Sequence, residues 1–225
     1  MALESQGIQI RRISTAAAST GLTANNITIS LTGAKQIIRG DAGSFITDGF
    51  ATAMRIAIAG SSNNTSIFTL SSVAATAMAV YETLVAMSSG TTVSIEGHLF
   101  TSIGDITGFN GPAGAAVVID VTNLDSTAKE KIIGIRDEGT LAINVNLNNS
   151  ADKYQVALRD DRASRAKRTF DIKLNDTSTV ADSQPSALYF DGYVTGFSAA
   201  GSVDNVVKGN ITIELTSAIH WIAKI

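Results

Sequence analysis

The sequence predicts a mainly β protein of the β-rich α+β kind, built as a β-sandwich or partial barrel with one flanking helix. Short segments that alternate apolar and polar residues recur along the chain, which is typical of sandwiches and barrels. One segment after residue 150 has the pattern of a helix. Charged residues make up only 16% of the 225 residues, against ~25% in an average domain, and Ser, Thr, Asn, Ala and Gly take their place.

The first eighty residues predict a series of short strands. The segments are Gly7–Ile13, Ile27–Leu31, Met54–Ile58, Ile67–Leu70 and Ala77–Tyr81. Turn signals separate them, with Asp48-Gly49 inside the predicted turn Phe45–Phe50 and a loop over Gly60–Thr65. Strands of this length and spacing predict a small all-β unit.

Three strands of the second half alternate clearly, so each predicts one apolar and one wet face. They are Gly139–Leu147, Phe170–Leu174 and Val207–Leu215. In the first of them Leu141, Ile143 and Val145 share the apolar face, while Thr140, Asn144 and Asn146 share the wet face. In the second, the same alternation predicts that Thr169, Asp171 and Lys173 face water.

The helix is predicted to begin at Asp152–Gln155, which has the pattern of a capping box. It then extends to about Ala166, with Tyr154, Leu158 and Arg162 along one stripe. Six basic residues crowd positions 159–173, whereas no Lys or Arg occurs between Arg55 and Lys129. This asymmetry favours a molecule with distinct faces, as a ring subunit needs; a solvated helix beside a neutral β region is the alternative.

The composition excludes several classes of function. The net charge of −3 gives no polyelectrolyte signal for nucleic acid or membrane, and the chain has no cysteine for disulfides or thiolate metal sites. The two histidines, His98 and His220, lie far apart in sequence. We therefore expect no catalytic residues, no metal site and no cofactor.

Other residues that resemble site chemistry have simpler interpretations. The acidic pairs Asp160-Asp161 and Asp120…Asp125 come without a base or a calcium-loop glycine, so we expect solvated or interface carboxylates. The glycine-rich Gly108–Gly114 lacks the Lys-Ser/Thr of a phosphate loop and predicts a turn. We expect the aromatic residues Tyr189, Phe190, Tyr193 and Phe197 to pack in the core or between sheets.

A series of short motifs in a fixed order resembles a known family. The motifs are Ile103–Pro112, Val118–Thr122, Ser126–Lys131, Gly134–Gly139, Gln155–Arg159, Arg168–Lys173, Phe190–Phe197, Gly201–Val207 and Trp221. In this order they resemble the major tail tube protein of long-tailed (siphovirus-type) bacteriophages. The resemblance implies a tail tube domain formed by residues 1–14 and 93–225. It also implies that residues 15–92 are an inserted small β subdomain.

The resemblance implies a structural virion protein, not an enzyme. Its subunits would form hexameric rings that stack into the tail tube, through which double-stranded DNA passes transiently without specific binding. The implied partners are the chain itself and the tail terminator, tape measure and tail tip proteins, with no membrane; the location is the virion, after assembly in the bacterial host cytoplasm. Alternatives are a tube or ring protein of a contractile tail, secretion system or tail-completion complex, and a monomeric β-sandwich binding module.

Two sets of residues follow as candidates for assembly. Similar tube proteins carry a long loop that contacts the adjacent ring, and the charged, loop-like segment Asn123–Gly139 is its predicted counterpart. The inter-ring candidates in it are Lys129, Glu130, Lys131, Arg136, Asp137 and Glu138. The predicted lumen-facing residues are Thr140, Asn144 and Asn146, since a wall of amides and hydroxyls would not hold phosphates as Lys and Arg do.

Overall fold

The computed structural model describes residues 6–14, 19–24, 26–30, 35–64, 66–176 and 184–224. These described residues form antiparallel sheets and one α-helix, which confirms the predicted mainly β class. The chain divides into two compact units. The first comprises residues 1–102, 170–189 and 220–225, and the second comprises residues 103–169 and 190–219.

The strands are numbered in chain order. They are β1 (Gln9–Ile13), β2 (Ser19–Ala24), β3 (Ile27–Ser30), β4 (Gln36–Arg39), β5 (Arg55–Ala59), β6 (Ile67–Val73), β7 (Ala77–Val80), β8 (Val93–His98), β9 (Phe100–Ser102), β10 (Ile106–Asn110), β11 (Ala115–Asp120), β12 (Lys131–Asp137), β13 (Thr140–Asn146), β14 (Lys167–Lys173), β15 (Ala187–Ala200), β16 (Lys208–Leu215) and β17 (His220–Ile222). The helix α1 spans Gln155–Ser164 and follows a short 3₁₀ turn, Ala151–Lys153.

A seven-stranded antiparallel sheet dominates the first unit. Its order is β2-β8-β5-β6-β7-β4-β3, so strands distant in sequence become neighbours. Ile58 lies opposite Ile95, and Ile37 opposite Met78. The buried side chains of this sheet and its loops form one core cluster: Ile27, Ile29, Ile37, Phe45, Phe50, Met54, Ile56, Ile58, Phe68, Leu70, Met78, Val80, Leu84, Val93 and Ile95. Residues 19–98 therefore carry a hydrophobic core of their own.

The turn predicted over Phe45–Phe50 is confirmed, and a buried arginine organises it. Phe45 and Phe50 pack edge to face with ring centroids 5.8 Å apart. The Arg39 guanidinium lies over the Phe45 ring and donates hydrogen bonds to Asp41 and Asp48. The hydrogen bonds from Arg39 to Asp41 hold the pKa of the Asp41 carboxyl below its usual range. An arginine at the end of an alternating strand is thus part of the interior.

Two strands pair with β1 in the first unit. Strand β1 lies between β9 and β14, with Ile10 opposite Ile172 and Arg12 opposite Thr101. The beginning of β15 pairs with β17, placing Ala187 opposite Ile222. Ile10, Phe170 and Ile172 are buried, as the alternation of β14 predicts.

The second unit contains a four-stranded antiparallel arrangement in the order β10-β13-β16-β15. Ile143 lies opposite Ile211, and Ile213 lies opposite both Leu141 and Val194. These apolar side chains are buried. The predicted alternation is therefore confirmed within β13 and β16, and it leaves one polar face toward water. It is wrong for Val207, which precedes β16 and is exposed.

The predicted capping box of α1 is wrong. The residue before the first helical turn is Tyr154, in the left-handed conformation at φ 56°, and no side chain caps the helix N-terminus. Instead, Gln155 is buried: its amide donates to the carbonyl oxygens of Gly104 and Asn146, at 2.9 and 3.0 Å. These bonds fix the start of the helix to the end of β13. Of the predicted stripe, Leu158 is buried and Arg162 is exposed.

Candidate assembly surfaces

Strands β11 and β12 form a separate two-stranded antiparallel hairpin. Val118 lies opposite Ile133, Ile119 opposite Ile132, and Asp120 opposite Lys131. The predicted loop Asn123–Gly139 is therefore wrong for residues 131–137, which are a strand, and the tip of the hairpin is residues 121–130. The sequence misled because charged residues at both ends of β12 resemble a solvated loop.

The six inter-ring candidates do not form one cluster. Lys129, Glu130 and Lys131 lie at the tip end of the hairpin, whereas Arg136, Asp137 and Glu138 lie at its base. Lys131 and Arg136 are five positions apart on an extended strand, which separates their Cα atoms by about 17 Å. At the base, the Arg136 guanidinium pairs with the Glu138 carboxylate at 2.5 Å. Charged groups thus mark both ends of the hairpin and leave its middle apolar.

The middle of the hairpin exposes apolar side chains on both faces. Ile133 and Ile135 share one face with Val118 and are 76% and 92% exposed. Ile119 and Ile132 share the opposite face and are also exposed. Sequence reasoning missed this surface, because it predicted a charged loop over the residues of β12.

An isolated hairpin of this kind requires a partner. Two-stranded hairpins are at best marginally stable in water, and strand edges accept further strands. A contiguous exposed apolar surface typically marks a protein–protein contact. We therefore identify residues 115–137 as the candidate assembly hairpin.

Local interactions define both ends of the assembly hairpin. At the tip, hydrogen bonds from the Thr122 hydroxyl and amide hold the pKa of Asp120 below its usual range. At the base, Gly139 has φ +70°. An added Cβ at Gly139 would collide with the carbonyl oxygen of Ala113, so the backbone approach at the base requires glycine.

The second candidate surface is the polar face of the β10-β13-β16-β15 arrangement. Cross-strand pairing places Gly108, Asn144, Asn210 and Ser198 in one row. The Asn210 side-chain amide donates to the Asn144 side-chain oxygen at 3.0 Å. This row contains only small or amide and hydroxyl side chains, so its surface is flat and uncharged.

The predicted lumen-facing residues belong to this same face. Thr140 lies opposite Glu214, and Asn146 lies opposite Lys208. Asn144, between them, is exposed, and the other two predicted residues are half-buried. One acidic and one basic side chain at opposite ends leave the centre of the face without net charge.

Two consecutive acidic residues of helix α1 have different surroundings. Asp160 is exposed, as predicted for a solvated carboxylate, but Asp161 is buried. The Arg168 guanidinium donates to the Asp161 carboxylate at 2.8 Å. The prediction of a solvated or interface carboxylate is therefore wrong for Asp161, which is part of an internal ion pair.

A buried charge network in the first unit was also not predicted. The side chain of Asp171 is completely buried, so the prediction that it faces water is wrong. Arg11 donates to both of its carboxylate oxygens at 2.7 Å, and Arg55 donates to one of them at 3.1 Å. Strand β5 of the seven-stranded sheet is thereby connected to strands β1 and β14.

The network continues from Arg55 through neutral side chains to Glu82. Arg55 also donates to the Thr69 hydroxyl and to the Gln184 side-chain oxygen. Glu82 accepts hydrogen bonds from the Thr69 amide and hydroxyl and from the Gln184 amide, each at 2.7 Å. Burial lowers the pKa of Arg55, and the Asp171 carboxylate opposes this effect by favouring the charged form.

The remaining sequence candidates are distributed over both units. His98 is on β8 and His220 on β17, where the His220 ring meets Tyr189 at an edge. Tyr189 and Phe190 are buried, but Tyr193 is exposed, contrary to the core packing predicted for it. The turn predicted over Gly108–Gly114 is wrong for residues 108–110, which belong to strand β10.

The described part of the chain contains neither a cluster of metal-binding side chains nor a membrane-spanning helix. Within it, no three His, Cys, Asp or Glu side chains are grouped as a metal site would require. Among the same residues, no helix has the length and apolar character needed to cross a bilayer.

Comparison with known proteins gives the family. No curated protein matches the chain. Two solved structures are similar, one titled as the virion of a native gene transfer agent particle and one as the tail of an empty particle of that kind, refined helically with C6 symmetry. They have TM-scores of 0.45 and 0.44 and are each 15% identical, covering 55% of this chain and 89% and 87% of theirs. Residues 71–225 match the profile of the lambda-like phage tail tube family. The chain therefore belongs to the lambda-like tail tube proteins, and it is a structural component of a phage-type tail.

Proposed function

We propose that the protein assembles into hexameric rings, that the rings stack into the tail tube, and that the tube conducts double-stranded DNA during infection. The observation that carries this proposal is the assembly hairpin, whose two apolar faces are exposed in the single chain. Burial of Ile133 and Ile135 against another subunit would contribute about 2 kcal/mol each to stacking. The charged residues at its ends, Lys131 and Arg136 among them, would set the register of that contact.

Ring closure is supported by the edge of the second unit's sheet. Strand β10 ends the order β10-β13-β16-β15, and no described strand pairs with its other side. Unpaired backbone groups on an edge strand pair readily with another chain. Joining each β10 to a neighbouring subunit would close a many-stranded barrel around an aqueous channel.

The polar face centred on Asn144 is the proposed channel wall. Its central row of glycine, asparagine and serine offers no cation to phosphates. Because Lys and Arg contacts to phosphate dominate DNA affinity, a wall without them would let DNA pass with little retention. Thr140 and Asn146 would lie on the same wall.

We also propose that the chain consists of a tube domain and a unit inserted into it. Residues 1–14 and 93–225 would form the tube domain, with residues 15–92 inserted into it. The separate hydrophobic core of the seven-stranded sheet supports an inserted unit, although β8 adds residues 93–98 to that sheet. The proposed partners are tail terminator, tape measure and tail tip proteins, with assembly in the host cytoplasm.

Electron microscopy of the concentrated, purified protein tests the assembly. We expect long tubes of stacked rings, and six subunits per ring in averaged end views. Isolated rings without tubes would favour a tail-completion protein instead. A protein that remains monomeric at millimolar concentration would contradict the proposal, since the assembly hairpin would then be stable while fully exposed.

Cysteine labelling tests the channel wall, because the chain contains no cysteine of its own. Asn144→Cys is expected to react rapidly in the monomer with a maleimide attached to a long polyethylene glycol, since Asn144 is exposed. In assembled tubes the same reaction should be strongly slowed, because the bulky reagent reaches the channel only from the tube ends. The rates are compared by gel shift.

Ile46→Cys is the matched control for labelling. Ile46 is exposed in the first unit, on the turn before β5. We expect it to react at similar rates in monomers and tubes. Equal rates for Asn144→Cys in both states would remove this face from the channel wall, whatever the ring architecture.

A further inference from the structure

A cavity of about 130 Å³ in the first unit is lined by three cationic side chains, Arg11, Arg55 and Lys173. The rest of its lining is Ala53, Thr69, Tyr81, Gln184 and Pro185. One water molecule occupies about 30 Å³ in the liquid, so the cavity has room for a small polyatomic ion. Its three cationic side chains come from strands β1, β5 and β14.

The cations in and around this cavity outnumber the anions. Asp171 is shared between the two guanidinium groups, with both of its oxygens engaged. The Glu82 carboxylate is already bonded to Thr69 and Gln184. Against these two carboxylates stand three cations, so the described groups carry a net charge of +1.

Two of the cationic groups have unused donors. The Lys173 ammonium makes no hydrogen bond or ion pair with any described residue, although the side chain is half-buried. The second terminal nitrogen of Arg55, Nη2, likewise has no acceptor among the described residues, and Arg55 is only 3% exposed. Because both residues line the cavity, an anion bound there could accept charge-assisted hydrogen bonds from both groups.

The electrostatic environment of Lys173 agrees with this geometry. Burial, followed by the charge of Arg11, lowers the pKa of the Lys173 ammonium. Arg55 acts in the same direction, and only Asp171 opposes it. An added negative charge would relieve the repulsion among the three cations.

We propose that this cavity is a binding site for a single oxyanion, of the phosphate, sulfate or carboxylate class, held by Lys173 and the Nη2 edge of Arg55. Arginine presents a planar pair of donors to such groups, and lysine adds a compact charge. The bound oxyanion joins β14 to β5 beside the Asp171 network and stabilises the first unit. The site does not rest on tube assembly, so it stands or falls separately from the proposed function.

Isothermal titration of the purified protein with sodium phosphate tests the site at constant ionic strength in a chloride background. We expect one saturable site per chain with a dissociation constant on the order of millimolar. Lys173→Met should weaken binding by about tenfold or more, because it removes the charged donor. The matched control is Lys167→Met, which makes the same change on an exposed lysine and should leave the affinity unchanged.

The other outcomes are also decisive. Acetate binding as tightly as phosphate would assign the site to carboxylates, and acetate binding much more weakly would assign it to phosphate or sulfate. Absence of saturable binding of either anion to the wild-type protein would overturn the proposal, as would unchanged affinity in Lys173→Met. If Lys173→Met does not fold, Lys173→Gln replaces it, and the wild-type isotherm alone remains decisive against the site.

Discussion

Replacement of Asp171 by Asn is expected to lower the free energy of unfolding by about 3–5 kcal/mol, because two guanidinium groups would lose their buried counter-charge. The side chain of Asp171 is completely buried, and that of Arg55 is 4% exposed. Both side chains are therefore largely shielded from bulk water. Urea unfolding followed by tryptophan fluorescence measures the effect, since Trp221 is the chain's one tryptophan and lies in the first unit.

The control for Asp171→Asn in the unfolding measurement is an exposed aspartate. Asp160→Asn makes the same chemical change at an exposed ion pair with Arg159 and should alter the free energy of unfolding by at most about 0.5 kcal/mol. Combining Asp171→Leu with Arg55→Met should recover part of the lost stability, because one of the two uncompensated guanidinium charges is removed. A loss below about 1 kcal/mol for Asp171→Asn would mean that water or another group compensates the guanidinium ions.

Replacement of Ile133 and Ile135 together by Ser is expected to abolish tube formation while leaving the monomer folded. Both side chains are largely exposed in the single chain, so their loss should change its unfolding free energy little. On stacking, however, the two substitutions would remove about 4 kcal/mol of apolar burial per subunit contact. Sedimentation velocity and negative-stain microscopy at matched concentrations measure the amount and length of tubes.

Ile46→Ser is the control for the hairpin variant. It removes an exposed isoleucine that lies outside the candidate assembly surfaces, and tubes of normal length are expected. Wild-type amounts of tube from the Ile133 and Ile135 variant would show that the assembly hairpin is not buried on stacking. A variant monomer with reduced stability would instead indicate that the hairpin packs against its own chain.

The parts of the fold that could be predicted from the sequence are those with a single exposed face. Leu141, Ile143 and Val145 alternate with polar residues because one side of β13 is buried and the other meets water. The same alternation placed Thr140, Asn144 and Asn146 together on one face. Where burial follows a period of two, the alternating order of apolar and polar residues predicts which side chains are buried.

The errors have an equally physical origin. Strand β12 has isoleucines on both faces, so it lacks alternation, and its charged ends resembled a loop. Asp171 follows the alternation of a wet face, but its partners are 116 and 160 residues away in sequence. A long-range ion pair leaves no local pattern, so its burial could not be predicted. At α1, the capping pattern was overridden by the buried amide contacts of Gln155.

The Asp171 network has a consequence for engineering. A chimera that exchanges residues 19–98 for a foreign cargo domain would also discard Arg55, Thr69 and Glu82. The recipient scaffold would then keep the Arg11–Asp171 ion pair but lose the second guanidinium that binds Asp171. Successful grafts should therefore transplant an arginine to the junction in place of Arg55.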